Sequence, residues 1–178
     1  MIQQSPGTVH GGQGAIATIA TLPPAVCKVL SDLLGRNVTG KKVAPYPLAS
    51  AARRIVAAFE AEDASSMSVC VFDLALVAYA GAALAMIPAG NAKEQVAAGH
   101  CEGVLLENFT EILNICRQVF QGPGRHILSP RLYLTKQEIP PHIAQALSAP
   151  KTRVDAEINI PGYGCGQLSI VNAIMLPV

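Results

Sequence analysis

Apolar residues recur at three- and four-residue intervals in several segments of the chain, which is the spacing of one face of an α-helix. The first segment follows Pro23-Pro24, runs from Val26 to Leu34 and stops at Gly35. A second, rich in alanine, covers residues 73–87, and Asp73 at its start is a residue type that caps helices. The third covers residues 94–121, with Gly99 as a break, and Gly-Pro-Gly follows it. The pattern predicts these helices and a shorter one over residues 140–149.

Other segments show the two-residue alternation of β-strands. Apolar runs at residues 55–61 and 67–72 flank a polar turn and predict a hairpin. In the C-terminal part, apolar residues from Val154 to Ile160 alternate with polar ones, residues 161–166 turn the chain, and residues 168–176 return as a strand. Residues 132–134 predict a short strand, and residues 41–47, with two prolines, a loop. The predicted fold class is α+β, an antiparallel β-sheet covered by helices.

The 178-residue chain is apolar enough to raise the question of a membrane, since 51% of its residues are hydrophobic and 14% charged. Residues 74–92 carry no charge and are nominally long enough to span a bilayer. Alanine dominates this segment, however, Pro88 interrupts it and no basic cluster flanks it, so a buried helix is the better interpretation. No Lys or Arg precedes Lys28, so the charged region of a secretory signal is missing, and we expect a cytoplasmic protein.

The net charge and the cysteine and histidine content exclude several classes of function. The net charge is +1 and there is no basic run, which argues against nucleic-acid binding. Five cysteines without a C-x-x-C pair fit reduced thiols rather than a disulfide framework. Four scattered histidines add no metal-ligand spacing, so we expect this chain to bind neither a metal ion nor another cofactor.

The helix predicted over residues 104–121 carries the candidate chemistry. On a helical wheel Glu107, Glu111, Asn114 and Gln118 align on one face, and the opposite face is formed by Leu105, Phe109, Ile112, Leu113, Cys116 and Phe120. Most polar stripes of this kind are simply solvated helix faces. In a chain so poor in charge, two carboxylates and two amides without a balancing lysine also suit a binding surface: a carboxylate can pair with a lysine, and an amide can hold a water molecule.

Glu111-Ile-Leu-Asn114 is an E-x-x-N sequence with Glu107 four residues ahead, and in this it resembles the CheC/CheX family of chemotaxis phosphatases. The opening helix, the Thr39-Gly40-Lys41 loop, the hairpin, the alanine-rich helix, the motif helix and the closing hairpin follow the same order. The single motif is similar to CheX rather than to CheC, in which it is duplicated. The resemblance implies an αβ(X)ββαβββ arrangement with residues 22–178 as one domain. Residues 1–21 are rich in Gly, Ser, Gln and Thr, and we expect this segment to be loosely ordered.

The resemblance also implies an activity, the removal of phosphate from the aspartyl-phosphate of a CheY-like response regulator. Glu111 would pair with the regulator's active-site lysine, and Asn114 would orient the attacking water. Glu107 and Gln118 would contact the same partner, and the Mg²⁺ would belong to the regulator. A homodimer is implied as well, and the strand at residues 168–176 carries little charge that would deter edge pairing.

Two departures from the family pattern keep alternatives open. Glu107 stands where the family usually has Asp or Ser, and Leu113 replaces the small residue that usually precedes the Asn. One alternative is a binding or scaffold protein that has kept the fold and lost catalysis. Another is an adaptor of the flagellar switch or of a different signalling assembly.

Overall fold

The computed structural model describes residues 19–48, 54–63, 66–121, 126–134 and 138–173, and within these residues six strands form one antiparallel sheet. The spatial order is β1-β5-β6-β3-β2-β4, so the hairpin β5–β6 lies between the first strand and the hairpin β2–β3. The strands are β1 (Thr39–Lys42), β2 (Arg54–Glu60), β3 (Met67–Asp73), β4 (Arg131–Tyr133), β5 (Thr152–Ile160) and β6 (Gly164–Ala173).

Five α-helices accompany the sheet in the described part of the chain, after a 3-10 turn at Ile19–Thr21. The larger hydrophobic core lies between one sheet face and the first four helices, and a smaller one lies on the opposite face against the fifth. The helices are α1 (Leu22–Leu34), α2 (Leu74–Leu84), α3 (Ala89–Ala98), α4 (Val104–Phe120) and α5 (Pro141–Ser148).

The predicted α+β architecture is confirmed, and so are the two hairpins and the short final helix. The predicted break at Gly99 is confirmed, because Gly99 adopts the left-handed conformation that ends α3, although α3 begins at Ala89 and not at residue 94. The predicted loop at residues 41–47 begins with strand: Lys41 and Lys42 belong to β1, a fully exposed edge strand that ends before the first of the two prolines. No helix of the described residues is both long and apolar enough to cross a membrane.

Helix α2 is the alanine-rich segment, and it is buried on most sides because it lies between the sheet and the other helices. The Asp73 side chain accepts a hydrogen bond of 2.8 Å from the Leu76 amide, which confirms the predicted cap. A Cβ atom on Gly166 of β6 would lie 2.4 Å from that same backbone nitrogen. The absence of a side chain at Gly166 therefore lets α2 lie directly on the sheet.

The second sheet face contains a buried ion pair that alternation alone does not predict. The Arg153 guanidinium donates two hydrogen bonds to the Asp155 carboxylate, at 2.8 and 2.6 Å, and a third to the Tyr46 carbonyl oxygen. The Ser169 hydroxyl also donates to Asp155, whose side chain is almost completely buried. The pair between Lys28 and Asp32 on α1 is, by contrast, exposed.

One argument from the sequence is wrong. Strand β6 is paired with β5 over residues 164–172 and with β3 over residues 168–173, so the described part of the predicted strand has no free edge for a second copy. Residues 174–176 of the predicted strand lie outside the described residues, as does most of the predicted N-terminal segment, residues 1–18. Homodimerisation and the domain boundary at residue 22 stay predictions.

Candidate functional site

Helix α4 carries the candidate site, and its buried face fixes its position. Leu105, Phe109, Ile112, Leu113 and Cys116 are all buried, as the helical wheel predicted. Two ring contacts join this face to the sheet: Phe109 meets Phe72 edge-on with 5.0 Å between ring centroids, and Phe120 stacks on Phe59 at 4.3 Å. Paired aromatic rings of this geometry add to the stabilisation from burial alone.

A close crossing with α2 fixes the same helix from the side. A Cβ atom on Gly81 of α2 would lie 2.0 Å from the backbone oxygen of Leu105, so the two helix backbones approach at this point as only glycine allows. The Asn108 side-chain amide donates a hydrogen bond of 3.1 Å to the carbonyl oxygen of Gly81. Sequence reasoning missed Asn108, because its partner is known only once the two helices are seen to cross.

The four residues of the predicted stripe lie together on the outer face of α4. Glu107, Glu111 and Gln118 are exposed, and Asn114 is half-buried. No hydrogen bond or ion pair involves any of these four side chains within the part of the chain that the structure describes. Two carboxylates and two amides are therefore presented to solvent with their hydrogen-bonding capacity unused.

The departure at Leu113 does not disturb this surface. Leu113 is 2% exposed, and its side chain contributes to the main core rather than to the stripe. Its bulk therefore points into the core, about 100° around the helix axis from Asn114, and not toward the exposed stripe.

The charged residues near the two ends of α4 complement the helix dipole. Glu107 lies in the first turn of α4, where the partial positive charge of the helix N-terminus stabilises a carboxylate, and Arg117 lies in the last turn. Arg117 is exposed at the edge of the stripe, three residues after Asn114. It is a cation next to the candidate residues, and the stripe predicted from the sequence does not include it.

The cysteine on α4, Cys116, does not add a reactive group to the exposed stripe. Burial raises the pKa of the Cys116 thiol to about 12, and burial also raises the pKa of the neighbouring Cys70 well above its ordinary value. Both thiols are consequently protonated at neutral pH and are poor nucleophiles.

Metal-binding geometry is likewise not found in the described residues. No group of three or more His, Cys, Asp or Glu side chains there is arranged to hold a metal ion. The expectation that this chain binds no metal or other cofactor of its own stays a prediction.

Solved structures of similar architecture exist at low sequence identity. Thermotoga maritima FliY is 15% identical and aligns over 85% of this chain and 84% of its own, with a TM-score of 0.55. The chain has the FliY fold. A FliM middle domain from H. pylori is 12% identical over 85% of this chain and 84% of its own, with a TM-score of 0.49. A chain of the CheX-CheY-BeF3-Mg²⁺ complex from Borrelia burgdorferi is 14% identical over 86% and 96%, with a TM-score of 0.45.

The likeness to FliY confirms the fold that the resemblance to the CheC/CheX group implied. No protein-family model matches the chain, and no curated protein matches its sequence.

Proposed function

We propose that this protein is a CheX-like phosphatase that hydrolyses the aspartyl-phosphate of a CheY-type response regulator. The observation that carries the proposal is the placement of Glu111 and Asn114 on the outer face of α4, one turn apart and without partners among the described residues. A helix whose opposite face is anchored in the core presents both groups on a rigid surface. Phosphoryl transfer needs little more than such positioning, since it is catalysed by orientation and charge neutralisation.

In the proposed mechanism Glu111 supplies binding and Asn114 supplies orientation. The Glu111 carboxylate pairs with the lysine ammonium next to the regulator's phosphoaspartate. The Asn114 amide accepts from and donates to one water molecule and holds it in line with the phosphorus atom. The water oxygen forms a bond to phosphorus as the bond to the aspartyl oxygen breaks, which leaves inorganic phosphate and a free carboxylate. The regulator would hold the Mg²⁺, which would supply charge neutralisation at the phosphoryl oxygens.

Glu107 and Gln118 extend the contact one turn in each direction along α4. Both are exposed, so neither needs to leave a partner within the described protein in order to bind the regulator. Glutamate at position 107 is one methylene longer than the aspartate usual in the family, and at an exposed helix position the added length is accommodated by side-chain rotation.

The direct test is the decay of a phosphorylated CheY-type receiver domain with catalytic amounts of the purified protein. We expect Asn114→Ala to lower kcat by about a hundredfold, the order of magnitude that holding one reactant in line contributes. Glu111→Ala removes the docking charge, so it should raise KM by more than it changes kcat.

Helix α3 offers matched controls for both substitutions. Asn91 and Glu94 are exposed on that helix and repeat the same two residue types three positions apart. Asn91→Ala and Glu94→Ala should both leave turnover unchanged. If Asn114→Ala and Glu111→Ala are equally silent in a reaction that wild type accelerates, the site is wrong. If wild type binds the receiver domain without accelerating decay, the protein is a scaffold that has kept the fold alone.

A further inference from the structure

Two exposed apolar side chains interrupt the polar surface of α4. Val104 is 49% and Ile115 is 42% exposed, and they are two of the five large hydrophobic residues that are exposed in the described part of the chain. Neither contributes to the protein's own core, which the opposite face of α4 fills. Single exposed apolar residues are common and need no explanation. The position of Val104 and Ile115 next to the candidate site, however, is informative.

Val104 and Ile115 lie on the same ridge of the helix as Glu111. At about 100° per residue, the three positions fall within about 40° of one another around the helix axis. With a rise of 1.5 Å per residue, Val104 is about 10 Å before Glu111 and Ile115 about 6 Å after it. The carboxylate therefore stands between two apolar side chains, one on each side along the axis.

The edge of the stripe on the Asn114 side is polar. Thr110 and Arg117 lie there, and the Thr110 hydroxyl is engaged with the carbonyl oxygen of Leu106 at 2.8 Å. Apolar groups are thus confined to the Glu111 side of the surface, while the Asn114 side is bordered by polar residues. A partner that fits this face carries a cationic group surrounded by apolar surface opposite Glu111.

We infer that Val104 and Ile115 form an apolar rim that packs on the receiver domain and excludes water from the ion pair between Glu111 and the partner's lysine. This inference rests on the proposed function and adds the residues that determine affinity. Exposed ion pairs contribute little because water and salt screen them. Contacts that surround a polar centre and keep water out are the usual means of making such a pair count in an interface.

The rim is tested by measuring KM, kcat and the Kd for a receiver domain loaded with beryllofluoride. Val104→Thr keeps the shape of the side chain and Ile115→Gln keeps helix-forming tendency, yet each removes apolar surface. Burial of roughly 70 Å² of apolar surface per residue corresponds to about a twentyfold effect at most. Each substituted side chain keeps part of that surface, so we expect each Kd and KM to rise about three- to tenfold. The kcat should not change, and binding should weaken more steeply with NaCl than in wild type.

Two further exposed leucines provide controls away from α4. Leu128→Gln and Leu134→Gln make the same kind of change at 44% and 46% exposed positions and should leave Kd at the wild-type value. Ile115→Leu, which keeps the apolar surface, should also bind as wild type does. Thermal unfolding of each variant confirms that the helix is intact.

The outcomes separate this inference from the function on which it rests. If Glu111→Ala weakens binding while Val104→Thr and Ile115→Gln both bind like wild type, the rim is refuted and the docking role of Glu111 stands. If Glu111→Ala and Asn114→Ala change neither binding nor turnover, the proposed function itself fails. A similar rise in Kd for the two leucine variants would show that apolar surface anywhere on the protein contributes to binding, which would also refute a specific rim.

Discussion

The crossing of α2 and α4 at Gly81 should make Gly81→Ala strongly destabilising, although alanine is the better helix former. The new Cβ would lie 2.0 Å from the oxygen and 2.9 Å from the carbonyl carbon of Leu105, both backbone atoms that cannot rotate away. The helices must therefore move apart by more than 1 Å, which weakens the hydrogen bond from Asn108 to the Gly81 carbonyl.

The magnitude follows from three contributions. Overpacking of a well-filled core costs about 1–3 kcal/mol. The weakened Asn108 hydrogen bond costs about 1 kcal/mol, and the higher helix propensity of alanine returns about 1 kcal/mol. The free energy of unfolding should therefore fall by about 1–3 kcal/mol.

Gly90 on α3 is the matched control. A Cβ there would meet no atom within 4 Å, so Gly90→Ala introduces the same methyl group without a clash. Replacing an exposed helical glycine should raise the free energy of unfolding by about 0.5 kcal/mol. Urea titration followed by circular dichroism measures both values, and the two variants should change stability in opposite directions. If Gly81→Ala stabilises the protein as Gly90→Ala does, the close helix crossing is refuted.

Two more predictions concern the buried polar and thiol groups. Asp155→Ala should lower the free energy of unfolding by about 3 kcal/mol, because it leaves the Arg153 guanidinium without its buried partner. Asp32→Ala, in the exposed pair with Lys28, should lower it by less than about 1 kcal/mol. Equal losses for the two variants in urea titration would contradict this reasoning. Iodoacetamide at pH 8 should alkylate the exposed Cys165 in the native protein and spare Cys116, since burial raises the pKa of that thiol to about 12. Mass spectrometry of the native protein reads out the modified site, and alkylation of Cys116 at a comparable rate would disprove its burial.

The elements with strong periodicity were predictable from the sequence because their patterns report local backbone geometry. The wheel of α4 separated Leu105 and Phe109 from Glu111 and Asn114 correctly, since one face of a helix is set by spacing alone. The cap at Asp73 was predictable for the same reason, because its acceptor and the Leu76 amide are three residues apart.

Features that depend on two distant segments were not predictable in this way. Alternation along β5 placed Arg153 and Asp155 on a polar face of the sheet. That face is buried at these two residues because residues 43–48 cover it, and the Tyr46 carbonyl oxygen accepts a hydrogen bond from Arg153. The position of β6 inside the sheet likewise depends on its pairing with β3, which residues of β6 alone do not encode. A strand at the edge and a strand in the centre can carry the same alternation.

The candidate site combines both kinds of feature: its residues could be named from the sequence, but the contacts that hold α4 in place could not. The identity of Glu111 and Asn114 is local, but their usefulness to a partner depends on whether α4 is held still. An interface that must first order its own backbone spends binding energy on that ordering. The Gly81 crossing and the two aromatic contacts to the sheet fix α4 before any partner arrives. Only the side chains of the stripe then remain to be ordered when a partner binds.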